Sequence, residues 1–173
     1  MKPSYILIVL LLVLPSCSTK NEKELFSEGQ AAEEQSDFQI AIERYQEILD
    51  RFPGNAHADS ALYRIAVIYN NDLHDFVKAV HSYQKYYATF PNSSVAPTAL
   101  FLCGFIFNNE LHELDSARAS YQRFIERFPD HQLAASASFE LETLGKDPGE
   151  FIRPEVAATA DEPAKKSTKA PKR

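Results

Sequence analysis

The sequence predicts an all-α fold: a short α-solenoid of paired antiparallel helices that ends in a C-terminal capping helix. A twelve-residue segment recurs three times at intervals of 38 positions, as RYQEILDRFPGN, SYQKYYATFPNS and SYQRFIERFPDH. Apolar residues between these segments recur at spacings of three and four, the period of a helix with one buried face. The alternation of apolar and polar residues that marks a strand does not occur. A helical unit repeated at a fixed period indicates a solenoid whose units pack on their neighbours.

Residues 1–16 are expected to form a secretory signal peptide. Lys2 supplies the early positive charge, and the apolar run over residues 5–14 is shorter than the roughly 20 residues that span a bilayer. The end of the run, Leu-Pro-Ser-Cys, resembles the lipobox at which bacterial signal peptidase II cuts before a lipid-modified cysteine. Cys17 is therefore the predicted lipidation site and the start of a linker over residues 17–23. Ordinary secretion without a lipid is the alternative.

The lipobox resemblance implies that the membrane is reached through a lipid anchor. A cysteine processed in this way carries more than one acyl chain, which anchors a protein stably. Ser18 follows the cysteine, whereas an aspartate there retains lipoproteins in the inner membrane of enteric bacteria. We therefore expect a location in the bacterial cell envelope, anchored in the outer membrane and facing the periplasm.

Three repeat units are expected over about residues 24–57, 58–95 and 96–131, each with two helices. Asn-Asn followed by an acid is expected to end the first helix of the second and third units, and the proline of each Phe-Pro pair ends the second helix because it lacks a helical N–H. Small residues are expected to let paired helices approach closely, at Gly29, Ala66 and Gly104. The buried stripes of the first helices are Leu62, Ile65, Ala66 and Tyr69, and Leu100, Cys103, Gly104 and Phe107.

A single helix over about residues 132–146 is expected to cap the array. It continues the period, but Ser138 and Glu142 occupy positions that hold core residues in the preceding units, which gives the helix a polar outer face. Residues 147–173 are rich in Pro, Ala and Lys and have almost nothing apolar to bury, so they are expected to form a disordered basic tail.

Charge and cysteine content limit the possible functions. Residues 17–150 carry 11 Lys and Arg against 21 Asp and Glu, and this acidic body argues against nucleic acid as the main ligand. Residues 151–173 carry 6 against 3, so the tail could contact an acidic surface or peptidoglycan. Cys103 is the only cysteine besides Cys17 and is expected to be a small buried hydrophobe, so no disulfide framework exists.

The size pattern within each unit resembles the tetratricopeptide repeat, a helix-turn-helix of 34 residues. The first unit matches without a gap, and the second and third match with one extra residue in the turn. The 38-residue period and the FPNS turn look like the repeats of the BamD-like outer-membrane assembly lipoproteins and of the Tol-associated coordinator CpoB. The matching residues are Leu25, Gly29, Ala32, Ala41, Tyr45, Ile48 and Pro53; Leu62, Ala66, Tyr69, Ala79, Tyr83, Tyr86 and Pro91; and Leu100, Gly104, Phe107, Ala117, Tyr121, Phe124 and Pro129.

This resemblance implies a binding groove lined by the first helix of each unit. Aromatic rings beside side-chain amides suit a peptide ligand, whose backbone the amides can hydrogen-bond. The alternative is that the same rings only pack between repeats. The implied groove residues are Tyr63, Val67 and Asn70 in the second unit and Phe101, Phe105 and Asn108 in the third, with Lys23, Phe26, Gln30 and Glu33 in the first and Phe139 continuing the aromatic row.

Two histidine-containing turns are the remaining chemical candidate. NNDLHDF and NNELHEL, 38 positions apart, place His74 and His112 between acids. Equivalent places in successive repeats lie at least a helix-packing distance of roughly 8–10 Å apart, whereas two zinc ligands must approach within about 4 Å. A shared metal is therefore disfavoured, and a turn role is favoured.

The sequence as a whole predicts a non-catalytic scaffold that binds a protein or peptide partner in the envelope. It contains no glycine-rich phosphate loop, nucleophile elbow or HExxH motif, and no cofactor or metal is predicted. The family resemblance implies a role in envelope or outer-membrane protein assembly. Two alternatives stay open: a small metal-dependent accessory enzyme that uses the His74 and His112 turns, and a structural lipoprotein whose tail contacts peptidoglycan.

Overall fold

The computed structural model describes residues 20–146, which form helices and contain no strand. None of the helices in this range is long and apolar enough to cross a membrane. The predicted signal peptide, lipidation at Cys17 and basic tail all lie outside the described residues. The helices are α1 (Glu22–Glu34), α2 (Phe38–Arg51), α3 (Ala58–Val67) followed by a π-helical turn (Ile68–Asp72), α4 (Phe76–Thr89), α5 (Ala96–Asn109), α6 (Leu114–Arg127) and α7 (Ala134–Thr143).

These helices divide into two compact units, called here unit 1, up to residue 75, and unit 2, from residue 76. Helices α1 to α3 and the π-helical turn form unit 1. Its core surrounds three side chains with no exposed surface, Leu25, Tyr45 and Ile48. The first helix begins at a capping box: the Asn21 side chain accepts from the backbone N–H of Glu24 at 3.0 Å, and the Glu24 carboxylate accepts from the Asn21 N–H at 3.0 Å.

Helices α4 to α7 form unit 2, whose core surrounds Tyr121 and Phe124, both without exposed surface. Helix α7 buries Ala137 against this core. Its residues Ser138 and Glu142 are exposed to solvent, so α7 presents the polar outer face predicted for a capping helix. The all-α tetratricopeptide-type architecture predicted from the sequence is confirmed.

One hydrogen-bonded turn joins successive repeats and recurs wherever a Phe-Pro pair ends a second helix. In unit 1 the Asn55 N–H donates to the Phe52 carbonyl at 3.0 Å, and the Asn55 side-chain oxygen accepts from the His57 N–H at 3.0 Å. In unit 2, Ser93 and His131 occupy the same position and accept from backbone N–H groups two residues later, at 3.3 and 3.2 Å. Three different side chains thus accept the same turn hydrogen bond from the backbone, which explains why the period is kept while the residue varies.

Two glycines allow paired helices to approach closely, as the sequence predicts. A Cβ atom added at Gly29 would lie 2.5 Å from Cε1 of Tyr45, and one added at Gly104 would lie 2.7 Å from Cε1 of Tyr121. Both distances are far below van der Waals contact. The tyrosine ring of the second helix therefore occupies the space that a side chain on the first helix would need.

The two Asn-Asn pairs behave differently at the ends of the first helices. Helix α5 ends at Asn109, the second residue of its pair. In the preceding repeat the helix also ends within the predicted Asn-Asn-acid stretch, but the chain stays helical through Asn70 and Asn71 as a π-helical turn that ends at Asp72. The chain can do so because a wider i→i−5 turn absorbs one additional residue without breaking the hydrogen-bond series.

Candidate functional site

The first helix of each repeat ends at a residue with positive φ. Ser36, His74 and His112 are spaced 38 residues apart and have φ angles of 62°, 50° and 55°. At the end of α1, the Asp37 N–H donates to the Ala32 carbonyl at 2.8 Å and the Ser36 N–H donates to the Glu33 carbonyl at 2.9 Å. This is a Schellman motif, which satisfies the last carbonyls of a helix from the backbone alone.

The later repeats have one residue more at this helix end, and the histidine compensates for it. The Asp75 N–H reaches back to the Tyr69 carbonyl at 2.8 Å, one residue further than a Schellman bond, so the Asn70 carbonyl loses its backbone donor. Nδ1 of His74 lies 3.2 Å from that carbonyl oxygen. In unit 2, Nδ1 of His112 lies 3.3 Å from the Asn108 carbonyl oxygen, and the Glu113 N–H bonds the Phe107 carbonyl.

These contacts give both histidines a structural role. A carbonyl oxygen only accepts hydrogen bonds, so Nδ1 of each ring must carry the proton and cap the helix end. The extra residue predicted for the turn is located in the last helical turn. Among residues 20–146 no three His, Cys, Asp or Glu side chains cluster so as to hold a metal ion.

The predicted groove residues of unit 1 share one face of a helix. Tyr63, Val67 and Asn70 follow each other at spacings of four and three along α3 and its π-helical continuation, and all three are half-buried. The Asn70 amide donates to the Asn71 side-chain oxygen at 2.6 Å. The predicted binding role of these residues stays a prediction.

In unit 2, Phe101, Phe105 and Asn108 likewise share one face of α5, but their environments differ. Phe101 is half-buried and packs on Tyr121 and Phe124 of α6 in the same repeat, with ring centroids 5.7 and 5.8 Å away, so it contributes to the core of unit 2. Phe105 is 40% exposed. Its binding role, like that of Asn108, stays a prediction, and it is the ring on α5 that the core leaves accessible.

A further pair of contacts, between the first helices of consecutive repeats, was not predicted from the sequence. In unit 1 the Tyr45 hydroxyl donates to Glu33 at 2.5 Å, and Arg64 on α3 pairs with the same carboxylate at 3.2 Å. In unit 2 the Asn108 amide donates to Glu140 on α7 at 3.3 Å. An alignment of the repeats could have indicated these contacts, because Arg64 and Glu140 occupy equivalent positions two repeats apart.

Burial raises the pKa of two tyrosines and one cysteine in these cores. The pKa of Tyr45 is raised by burial and by its bond to Glu33, and that of Tyr121 by burial and by the nearby Glu140 carboxylate. Burial raises the pKa of Cys103 to about 12. A thiol in this state stays protonated and unreactive at neutral pH, as expected for a small buried hydrophobe.

The fold defines the class as a tetratricopeptide-repeat protein. Similar solved structures include the N-terminal domain of stress-induced protein-1 from C. elegans, with a TM-score of 0.58 and 22% sequence identity, covering 70% of this chain and 94% of that one. The Arabidopsis OM64 TPR domain has a TM-score of 0.51 and 17% identity, with the same coverage. At these identities the similarity concerns the fold.

The family follows from the sequence match. Residues 18–147 match the family YfiO, described as outer membrane lipoprotein, and the chain belongs to this family. The predicted resemblance to the BamD-like lipoproteins is confirmed. A search of curated protein sequences finds no match.

Proposed function

We propose that this protein is a non-catalytic, lipid-anchored scaffold at the outer membrane that holds a protein partner during envelope or outer-membrane protein assembly. The observation that carries the proposal is the exposed Phe105, which lies one helical turn before the half-buried Asn108 on the same face of α5. An aromatic ring beside an amide provides apolar contact and backbone hydrogen bonding together. Membership in an outer membrane lipoprotein family supports the location.

Helix α7 extends this surface in unit 2. Phe139 is 59% exposed, and its neighbour Glu140 accepts the hydrogen bond from Asn108. We call Phe105, Asn108, Phe139 and Glu140 the α5–α7 face. Two large exposed rings near a hydrogen-bonded polar pair are typical of an interaction surface, in which aromatic anchors supply most of the binding energy.

The α5–α7 face is tested by co-purification of partners from the native envelope. Phe105→Ala combined with Phe139→Ala is expected to reduce recovery of specific partners at least about fivefold, because both anchors are removed. Gln122→Ala on α6 is the matched control, since Gln122 is also exposed but belongs to a second helix. Unchanged recovery with unchanged helicity by circular dichroism would rule out this face as the binding surface.

The lipid anchor is tested separately at Cys17. Cys17→Ser should leave an unprocessed precursor and abolish labelling by a palmitate analogue, because signal peptidase II requires the lipid-modified cysteine. Processing and labelling that persist in this variant would contradict the anchor without affecting the binding proposal. Protease protection in intact cells then distinguishes a periplasmic orientation, which we propose, from surface display.

A further inference from the structure

The contacts between first helices differ in charge between the two units. In unit 1 the Tyr45 hydroxyl donates to the Glu33 carboxylate at 2.5 Å, and the Arg64 guanidinium pairs with the same carboxylate at 3.2 Å. All three groups therefore have partners within the chain. The Glu33 side chain is only 18% exposed. The desolvated carboxylate is therefore neutralised by a cation from the next repeat, as a partly buried charge requires.

Unit 2 has the same positions with different residues. Tyr121 corresponds to Tyr45, Asn108 to Glu33 and Glu140 to Arg64. The carboxylate is thus on the second of the two helices, at the position where unit 1 has its cation. No Lys, Arg or His among residues 20–146 forms an ion pair with Glu140, although its side chain is half-buried and receives a hydrogen bond from Asn108 at 3.3 Å.

A buried polar group next to this pair is also unsatisfied. The Tyr121 hydroxyl is fully buried and has no hydrogen-bond partner in the described part of the chain, whereas the equivalent Tyr45 hydroxyl has Glu33. The Glu140 charge lies near enough to raise the pKa of this hydroxyl. A buried hydroxyl without a hydrogen-bond partner is costly and rare in native proteins, and its oxygen can accept from a cationic N–H group, so the site is incomplete as the chain presents it.

We propose that Asn108 and Glu140 form a subsite for the basic side chain of a bound peptide, an arginine or a lysine, which supplies the positive charge that Arg64 supplies in unit 1. This inference rests on the proposed function, since the peptide occupies the α5–α7 face. Glu140 supplies the countercharge and the Asn108 side-chain oxygen accepts from the guanidinium or ammonium group. The exposed Phe105 and Phe139 rings cover the aliphatic stem of that side chain.

The test compares three blocked peptides of equal length with Leu and Phe flanks and a central arginine, citrulline or glutamate. Citrulline keeps the shape of arginine and removes its charge. Binding to the purified protein is followed by NMR through the side-chain amide signals of Asn108. The arginine peptide is expected to shift these signals and to bind about tenfold more tightly than the citrulline peptide, because citrulline offers the Glu140 carboxylate a neutral donor in place of a cationic one.

Two variants assign this selectivity to the subsite. Glu140→Gln should reduce the affinity for the arginine peptide about tenfold, to that for citrulline, and leave the citrulline affinity unchanged. Glu142→Gln is the matched control, being an exposed glutamate on the same helix, and should change neither affinity. Asn108→Glu combined with Glu140→Arg rebuilds the arrangement of unit 1 and should abolish the preference for arginine.

Failure of the subsite is distinguishable from failure of the scaffold. Equal affinities for the arginine and citrulline peptides, or a preference that survives Glu140→Gln, would overturn the basic subsite. If these peptides still shift the Phe105 and Phe139 signals, the α5–α7 face retains its proposed function. Loss of that function would be shown by co-purification that is insensitive to Phe105→Ala and Phe139→Ala.

Discussion

Nδ1 of His112 donates to the backbone carbonyl of Asn108 at 3.3 Å and thereby replaces the backbone donor that the extra residue of the repeat displaces. The same contact joins His74 to Asn70 at 3.2 Å. The last carbonyl groups of the first helix are therefore capped by a histidine side chain in two repeats. In the repeat that lacks the additional residue, a Schellman motif caps them.

The role of His112 is tested by two substitutions at one position. His112→Ala should lower the free energy of unfolding by about 1–2 kcal/mol, because the carbonyl loses its donor while the φ angle of 55° stays unfavourable for an L-residue. His112→Gly should cost less, since glycine relieves that strain by about 1 kcal/mol. Urea unfolding followed by circular dichroism measures both.

Ser36 provides the matched control for this prediction. Its φ angle is 62°, but backbone bonds satisfy the helix end, so Ser36→Gly should stabilise the protein by up to about 1 kcal/mol. Equal effects of alanine and glycine at residue 112 would show that the positive φ angle costs nothing there, and an unchanged stability of His112→Ala would show that the imidazole contact contributes nothing.

The close approach of α5 and α6 is tested at Gly104. Gly104→Ala should destabilise the protein by about 1–3 kcal/mol, because the new Cβ would lie 2.7 Å from Cε1 of the fully buried Tyr121 ring. This cost exceeds the gain of about 1 kcal/mol that alanine brings to a helix interior. Gly54→Ala is the control, since a Cβ atom added there would have no neighbour within 4 Å, and it should be neutral or slightly stabilising. A stabilising Gly104→Ala would contradict the packing.

The two equivalent tyrosines should respond oppositely to loss of the hydroxyl. Tyr45→Phe should cost about 1.5–3 kcal/mol, because it removes a hydrogen bond to the Glu33 carboxylate. Tyr121→Phe should be neutral or stabilising by up to about 1–3 kcal/mol, because it removes a buried donor that has no acceptor within residues 20–146. Thermal unfolding of both variants measures these changes. A large loss of stability in Tyr121→Phe would reveal a partner for that hydroxyl.

Cys103 should make the protein sensitive to alkaline pH. Its pKa is about 12 in the folded state against an ordinary value of 9.0, so above pH 9 the unfolded chain releases a proton that the folded chain retains. The free energy of unfolding is therefore unaffected by this group below pH 9 and falls between pH 9 and 12, by up to about 1.4 kcal/mol per pH unit. Cys103→Ala should show a shallower fall in that window, and an identical pH profile would contradict the buried thiol.

The regular features of the fold could be predicted because the sequence repeats them. The tyrosine of each second helix recurs every 38 positions, and Gly29 and Gly104 lie opposite two of these rings. When large and small side chains recur at a fixed spacing, a single sequence is enough to indicate which helix faces pack together.

Features that depend on which donor pairs with which acceptor could not be predicted in the same way. The stretch of residues 70–72 ends a helix as expected from the sequence, but the π-helical form of that helix end and its contact with His74 were not predicted. The contact between Asn108 and Glu140 joins positions 32 residues apart on different helices. Two phenylalanines of α5 look alike in sequence, and only packing on the core distinguishes the half-buried ring of residue 101 from the exposed ring of residue 105.

Site-specific photo-crosslinking in the native envelope tests the central claim most directly. With benzoylphenylalanine at residue 105, a discrete adduct to a protein of the envelope is expected, because the exposed Phe105 side chain is proposed to touch the partner. The same probe at Gln122, an exposed residue of α6, should give no such adduct. A discrete adduct at residue 122 together with none at residue 105 would contradict binding through the α5–α7 face.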